Sequence, residues 1–156
     1  MKLKEKQFEI IGKIKFTLRN VKTGKCNVKK YKNIFVTTGK TAIARRLRNA
    51  GLIANEGIIT YGATGTGLNT PSVSDTKLQT ELARKLVASG SNVNNITTII
   101  VYFSTSESNG SLKEFGLFGE NATVSADSGT LFNRAAINII KTSSQSLTIE
   151  CQLTIG

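Results

Sequence analysis

The residue types that most often carry catalysis or bind metals are scarce in this chain. Its 156 residues include no histidine, two cysteines and ten acidic residues. Histidine is the commonest general base and metal ligand, and it is the usual partner of a serine or cysteine nucleophile. We therefore predict that the protein is not an enzyme and that it uses no metal and no cofactor.

The acidic residues have no spacing that requires an acid–base pair or a calcium-binding loop. Those between residues 75 and 127 are scattered over predicted loops and strand ends, where a carboxylate is ordinarily solvated. We therefore predict that they are surface charges. They are Asp75, Glu81, Glu107, Glu114, Glu120 and Asp127.

Two glycine-containing motifs match nucleotide-binding patterns only in part. The tripeptide Gly39-Lys40-Thr41 matches the end of a phosphate-binding loop, GxxxxGK[ST], but Ile34 occupies the position of the first glycine. The tripeptide is predicted to lie where a strand turns into a helix. The glycines of residues 62–74 follow the order GxxGxG, the reverse of the dinucleotide-binding fingerprint, and this segment is predicted to be a long surface loop.

The two cysteines, Cys26 and Cys151, do not form a CxxC pair and are too few for a disulfide scaffold. We predict that both are reduced and buried. No run of apolar residues approaches the length of about 20 that a transmembrane helix needs, so no membrane-spanning helix is predicted. A membrane is not among the expected partners.

The net charge of +11 is distributed very unevenly along the chain. Residues 1–50 contain 15 lysines and arginines against 2 acids, whereas residues 51–156 contain 6 against 8. Such asymmetry indicates a basic surface that could contact nucleic acid, an anionic membrane or an acidic protein. The candidate partner-contact residues are Lys13, Lys15, Arg19, Lys29, Lys30, Lys32, Arg45, Arg46 and Arg48.

Two binding functions remain open as alternatives. A nucleic-acid interface would need aromatic residues interleaved with the cations to stack on bases. The available aromatics are few, and Phe8 and Phe16 are expected on a core face, which favours an acidic protein over nucleic acid. A receptor- or glycan-binding module using residues 62–74 and Tyr61 is the other alternative.

The basic region has the clearest strand signal near its start. Apolar and charged residues alternate between residues 8 and 19, which indicates a strand with one buried face. After a turn at residues 22–25, a second strand is predicted to run from Cys26 to Val36. Its core-facing residues are predicted to be Val28, Ile34 and Val36.

One helix and several further strands follow. Residues 37–51 have apolar positions at helical spacing, namely Ala42, Ile43, Leu47 and Ala50. The final strand alternates without interruption from Leu147 to Ile155, which places Cys151 on its buried face. The chain is thus predicted to be one all-β domain over residues 1–156, a mostly antiparallel β-sandwich or jelly-roll-like fold with one short α-helix near residues 38–50. Residues 1–36 would form a basic N-terminal β-hairpin that serves as an anchor.

Three segments carry a resemblance to a known group of proteins. They are ITYGATGTGLNTPSVSDTKLQTELARK at 59–85, LKEFGLFG at 112–119, and GTLFNRA at 129–135 leading to residues 141–149. In this order they resemble small virion proteins of tailed bacteriophages, associated with tail fibres, collars or head decoration. The chain departs from the pattern of that group at Asn69 and Phe115, and residues 1–50 lie outside the resemblance.

The resemblance implies a β-sandwich, a location in the virion after synthesis in the host cytoplasm, and multimeric assembly without catalytic residues. Together with the charge distribution, it predicts a structural protein that assembles on the tail, neck, collar or capsid through protein–protein contacts. We expect a homo-oligomer, a trimer or a larger ring, that also contacts other virion proteins with acidic surfaces.

Overall fold

The structure, a computed structural model, describes residues 9–48 and 53–156. This part of the chain folds into eight strands and one helix. They are β1 (Ile10–Asn20), β2 (Cys26–Phe35), α1 (Thr37–Arg48), β3 (Ile59–Gly65), β4 (Glu81–Val93), β5 (Ile96–Phe103), β6 (Gly110–Gly119), β7 (Thr130–Lys141) and β8 (Gln145–Ile155).

The strands form a closed barrel in the order β1-β2-β7-β6-β3-β4-β5-β8, with β8 returning to β1. All neighbouring strands are antiparallel. The predicted all-β class with one short helix is confirmed, but the predicted sandwich is wrong. Two strands close the barrel because each changes partner along its length. Residues 81–86 of β4 pair with β3 and residues 87–93 with β5, while β2 pairs with β1 and then, at its end, with β7.

The barrel interior is filled by large apolar side chains. Ile14, Phe16 and Leu18 of β1 point inward, as their alternation predicts, and Phe16 makes an edge-to-face contact with Phe115, with ring centroids 5.6 Å apart. Cys151 is fully buried on the inward face of β8, which confirms its predicted position. Each such buried aromatic or aliphatic side chain contributes about 1.5–3 kcal/mol relative to an exposed one.

A second apolar cluster lies on the outer side of the sheet and is covered by a loop. It contains Tyr61, Phe118 and Leu131 from three neighbouring strands, together with Leu78 from the segment between β3 and β4. Leu78 is only 1% exposed. The prediction of a surface loop at residues 62–74 is therefore only partly correct. Residues 62–65 belong to β3, and the connection from β3 to β4 packs against the barrel through Leu78.

The helix α1 lies directly on the backbone of β7. Gly39 approaches Phe132 so closely that a Cβ atom at this position would lie 2.5 Å from the Phe132 Cα atom. The hydroxyl of Thr38 donates a hydrogen bond to the Leu131 carbonyl at 2.7 Å. Ala42 is buried as predicted, but Leu47 is 85% exposed, which contradicts its predicted core position. Of the other helical positions, Ala50 and Gly51 lie outside the described residues.

Within the described part of the chain, no helix has the length and apolar character needed to cross a membrane.

The strand β2 departs from prediction at Val28. This side chain is 49% exposed and lies opposite Thr17 on the outer face of the barrel. Tyr31 faces inward instead, where its ring meets Phe16 edge to face at 5.5 Å. The sequence of β2 has no clear alternation, so its inward face could not be identified until its pairing with β1 was known.

We expect Gly39→Ala to lower the free energy of unfolding by about 1–3 kcal/mol, because the added methyl group would overlap the β7 backbone. Gly90→Ala is the matched control, since the nearest atom to its added Cβ is 3.6 Å away. Urea titration of both variants measures the difference. Equal stabilities of the two variants would contradict the close helix–strand contact.

We expect the two cysteines to differ in reactivity, because Cys26 is exposed and Cys151 is buried. The exposure of Cys26 contradicts its predicted burial. Burial also raises the pKa of the Cys151 thiol, with a further contribution from Glu150, so little reactive thiolate forms there. Mass spectrometry after treatment with iodoacetamide should find Cys26 alkylated in the folded protein and both cysteines alkylated in denaturant. Rapid alkylation of Cys151 in the folded protein would contradict the packing of β8.

Candidate partner-binding surface

Four lysines lie together on the outer face of β1 and β2. Lys13 lies directly opposite Lys32, and Lys15 lies directly opposite Lys30. Because successive side chains of a strand alternate between the two faces, and Ile14 is in the barrel interior, all four lysines point outward. These four residues are called the lysine face below.

The pairing geometry brings these like charges close together. At the end of the hairpin, the Asn20 amide donates a hydrogen bond to the Lys25 carbonyl at 2.9 Å. Hydrogen-bonded and non-hydrogen-bonded residue pairs alternate along an antiparallel ladder, so both lysine pairs occupy non-hydrogen-bonded positions. At such positions the Cα atoms are about 4.5 Å apart and the side chains are at their closest. Two like charges placed directly opposite each other destabilise the sheet.

The lysine face has one acidic neighbour among the described residues. Glu150 of β8 forms an ion pair with Lys15, with 2.8 Å between Nζ and Oε2. Lys13 lies opposite the uncharged Gln152 on the same strand. The positive charge of this surface is thus compensated only in part.

The acids that could neutralise the charge of the lysine face form ion pairs with other lysines and arginines. Among the described residues, every acid other than Glu9 lies within 3.7 Å of a lysine or arginine. Several of these acids are buried, with Glu56, Glu114 and Glu120 at most 4% exposed. The prediction that the acids between residues 75 and 127 are solvated surface charges is therefore wrong for Glu81, Glu114 and Glu120.

The structure separates the candidate contact residues that the sequence grouped together. Arg19 is exposed and has the same orientation as the lysine face, opposite Cys26. Lys29 is directed to the other side of β2, where its Nζ donates a hydrogen bond to the Asn138 carbonyl at 2.8 Å. Arg45 is engaged by Glu120, at 2.6 Å.

The two remaining arginines, Arg46 and Arg48, are exposed on α1, whose main packing partner among the described strands is β7. The structure thus brings Lys13, Lys15, Lys30 and Lys32 together with Arg19, and leaves the arginines of the helix on a separate element.

A buried ion pair that sequence reasoning missed lies at the centre of a polar cluster. Glu114 of β6 and Arg134 of β7 are both 1% exposed and are joined by an Oε2–Nη2 contact of 2.6 Å. Arg134 also donates to Asp75 at 2.7 Å. The carboxylate of Glu114 accepts hydrogen bonds from the amides of Gly67 and Thr80 at 2.9 and 2.8 Å. These contacts hold the β3–β4 loop against the barrel.

Burial raises the pKa of the Glu114 carboxyl, but hydrogen bonds from the Thr80 and Gln79 amides, Arg134 and the Gly67 amide outweigh it. The pKa of Glu114 therefore lies below its ordinary value, and the side chain is charged in the folded protein. By accepting from the Gly67, Gln79 and Thr80 amides, it positions the β3–β4 loop.

A second buried ion pair, between Arg84 and Glu81, lies against the Tyr61 ring. The Arg84 Nε atom lies 2.6 Å from Glu81 Oε1, and its guanidinium carbon lies 5.7 Å above the Tyr61 ring and 4.6 Å above the Phe118 ring. Tyr61 is only 8% exposed. It therefore has no free ring face for stacking on a sugar, which weakens the glycan-binding alternative.

The buried Lys141 is another group whose pKa is shifted by the fold. Desolvation lowers its pKa, although Glu107 acts in the opposite direction. Its Nζ donates to the Ser104 carbonyl and to the Asn109 side chain, both at 2.8 Å. Lys141 thus holds the β5–β6 turn in place. No group of three or more cysteine, aspartate or glutamate side chains is positioned to bind a metal ion in residues 9–48 and 53–156.

The three segments of the resemblance meet at the Glu114–Arg134 pair. The first segment contributes Asp75, the second contributes Glu114 and the third contributes Arg134. These residues hold a loop in the present fold. No protein family, curated protein or solved structure matches the chain, so the resemblance to phage virion proteins depends on these segments alone.

We expect Glu114→Gln to lower the free energy of unfolding at neutral pH by about 3–5 kcal/mol, because it leaves the buried Arg134 without its nearest counter-charge. A carboxyl whose pKa is lowered by folding stabilises the protein above its unfolded-state pKa. This stabilisation is lost as the pH falls through the folded-state value. The stability difference between the wild type and Glu114→Gln should therefore shrink as the pH is lowered.

Urea titrations over a range of acidic pH values measure this difference. Asp127→Asn is the control, because it alters an exposed ion pair with Lys77, for which a change of at most about 1 kcal/mol is expected. A stability difference for Glu114→Gln that does not change with pH would contradict the charged state of Glu114.

Proposed function

We propose that this chain is a non-enzymatic assembly protein that binds an acidic surface of another protein through its lysine face. The observation that carries the proposal is the separation of charge in the fold. Nearly all described acids are paired within the chain, whereas four lysines are set against one another on an outer sheet face. A complementary acidic partner would relieve this repulsion on binding.

The contacts of the buried ionisable groups in the described residues support a structural role. The buried ionisable groups Glu114, Arg134 and Lys141 are satisfied by contacts that hold loops to the barrel. A general acid or base must instead reach a substrate through a hydrogen bond. Buried polar networks of this type fix one arrangement of loops, which suits a protein that presents a rigid surface.

An acidic protein fits the lysine face better than a nucleic acid does. Nucleic-acid binding without sequence preference combines cations with exposed aromatic rings on which bases stack. Strand β2 has two aromatic residues, and neither offers a free ring face. Phe35 is buried, and the Tyr31 ring points into the barrel while its hydroxyl donates to the Asn138 carbonyl at 3.0 Å. The face thus offers ammonium groups without a stacking platform.

The particle of a tailed bacteriophage is the setting that the sequence resemblance suggests. We propose that the protein is a virion component of the tail, neck, collar or capsid, and that several copies assemble there. The acidic partner would then be another virion protein. The proposed anchor at residues 1–36 includes all of β1 and β2, both of which are strands of the barrel, so anchoring would be by one face of the folded barrel.

We expect replacement of Lys13, Lys15, Lys30 and Lys32 by glutamine to reduce incorporation into particles by tenfold or more. Such a factor corresponds to about 1.4 kcal/mol of lost affinity. Incorporation is measured by sedimenting nuclease-treated particles and quantifying the bound protein. Replacement of Lys22, Lys25, Lys40 and Lys113 by glutamine changes the net charge equally and should leave incorporation unchanged. Equal incorporation of both variants, or absence of the wild type from particles, would contradict the proposal.

A further inference from the structure

The strand β2 has an edge that no other described strand covers. Residues 26–33 pair with β1 on one side, whereas β7 pairs only with Ile34 and Phe35. The barrel is closed at this end of β2 and open along the rest of the strand. Residues 26–33 are called the β2 edge below.

Two hydrogen bonds establish which backbone groups of the β2 edge are available. The Asn20 amide bonds the Lys25 carbonyl of the hairpin, and the Val36 amide bonds the Phe132 carbonyl of β7 at 3.0 Å. The N–H and C=O groups of a strand residue point the same way, and this direction alternates from one residue to the next. The backbone groups of Val28, Lys30 and Lys32 therefore point away from β1, toward the uncovered side.

The neighbouring strand β7 does not compete for these groups. At Asn138 the backbone amide and carbonyl of β7 form hydrogen bonds with side chains of β2. They do not pair with the backbone of β2. The Asn138 amide donates to the Tyr31 hydroxyl at 3.1 Å, and the Asn138 carbonyl accepts from the same hydroxyl and from Lys29 Nζ. These side chains span the gap between β2 and β7, and the backbone groups of Val28, Lys30 and Lys32 remain unpaired among the described residues.

We propose that an extended acidic segment of a partner protein binds here by adding a strand to the β2 edge. Its backbone would pair with Val28, Lys30 and Lys32, and its outward side chains would lie beside the side chains of the same residues. Lys30 and Lys32 are about 6.6–6.8 Å apart along the strand, which matches carboxylates on every second residue of an extended chain. This inference depends on the proposed role in protein–protein assembly and specifies the partner.

A second copy of this chain does not fit the same edge. Antiparallel pairing of two β2 edges would place lysines directly against lysines, which destabilises a sheet. Lysines at an edge are a common means of preventing such self-association. The acids that could attract the edge are already paired within each copy, with Glu9 as the exception among the described residues.

Nucleic acid does not fit the edge either, because phosphates can accept hydrogen bonds but cannot pair as a strand with alternating N–H and C=O groups. A peptide backbone offers both donors and acceptors at the strand spacing. The lysines alone would attract any polyanion, but only a peptide can also form backbone hydrogen bonds with the β2 edge.

The test uses two synthetic peptides of identical composition, one in which glutamate alternates with threonine and one in which the glutamates and threonines form separate blocks. Fluorescence anisotropy measures binding of each to the wild-type protein. We expect the alternating peptide to bind at least about tenfold more tightly, a difference that corresponds to about 1.4 kcal/mol. A duplex DNA of similar charge is the third probe and should bind more weakly than the alternating peptide.

Val28→Pro removes one of the edge N–H donors without changing the charge. Proline is tolerated on an edge strand where its missing N–H would face solvent, so the barrel should still fold, as circular dichroism can verify. We expect this variant to bind the alternating peptide about fivefold to tenfold more weakly, whereas Val28→Thr keeps the donor and should bind as the wild type does. If Val28→Pro does not fold, N-methylation of the alternating peptide removes donors of the same ladder from the partner side, with the same expected loss.

The outcomes separate this inference from the proposed function. Equal binding of both peptides, with no effect of Val28→Pro or N-methylation, overturns strand addition. If replacement of the lysine face by glutamine then still prevents particle incorporation, the proposed function stands without strand addition. Preference for DNA over both peptides overturns the acidic-segment inference and favours nucleic acid as the ligand.

Discussion

Ion pairing within the chain determines the electrostatic character of the surface. The buried or half-buried carboxylates of β6, β4 and the connecting loops are held by Arg134, Arg84 and Arg45, at contact distances of 2.6 or 2.7 Å. Because these acids form ion pairs with arginines elsewhere in the chain, few carboxylates are left to neutralise the lysines of the β1–β2 hairpin. Part of the net charge of +11 is thus uncompensated positive charge on one sheet face.

The same pairs give the barrel its loop structure. Burying a charge is unfavourable unless a partner and further hydrogen bonds compensate it, so a buried pair contributes more to specificity of conformation than to stability. In this fold Glu114 and Arg134 fix the β3–β4 loop, and Lys141 fixes the β5–β6 turn. Both loops are therefore held in one arrangement relative to the lysine face, as a surface that docks without rearrangement requires.

Local periodicity was sufficient to predict some elements but not how they pair. The alternation around Phe16 and Cys151 identified β1, β8 and their buried faces, because each of these strands has one solvent-exposed face and one buried face. Closure of the barrel depends on β2 and β4 changing partners, and no local pattern encodes that change. The free edge of β2 was missed for the same reason. The ion pair of Glu114 and Arg134 joins two neighbouring strands at positions 20 residues apart in sequence. Because sequence spacing gave no sign of this pair, Glu114 was predicted to be a surface charge.

Amide hydrogen exchange along β2 tests the central structural claim most directly, because it reports which backbone groups are bonded. The account predicts an alternating pattern in the free protein. The amides of Val28, Lys30 and Lys32 should exchange rapidly, and those of Lys29 and Tyr31 should be protected by β1. Uniform protection of all five amides would show that another strand already covers this side of β2, and it would contradict the free docking edge.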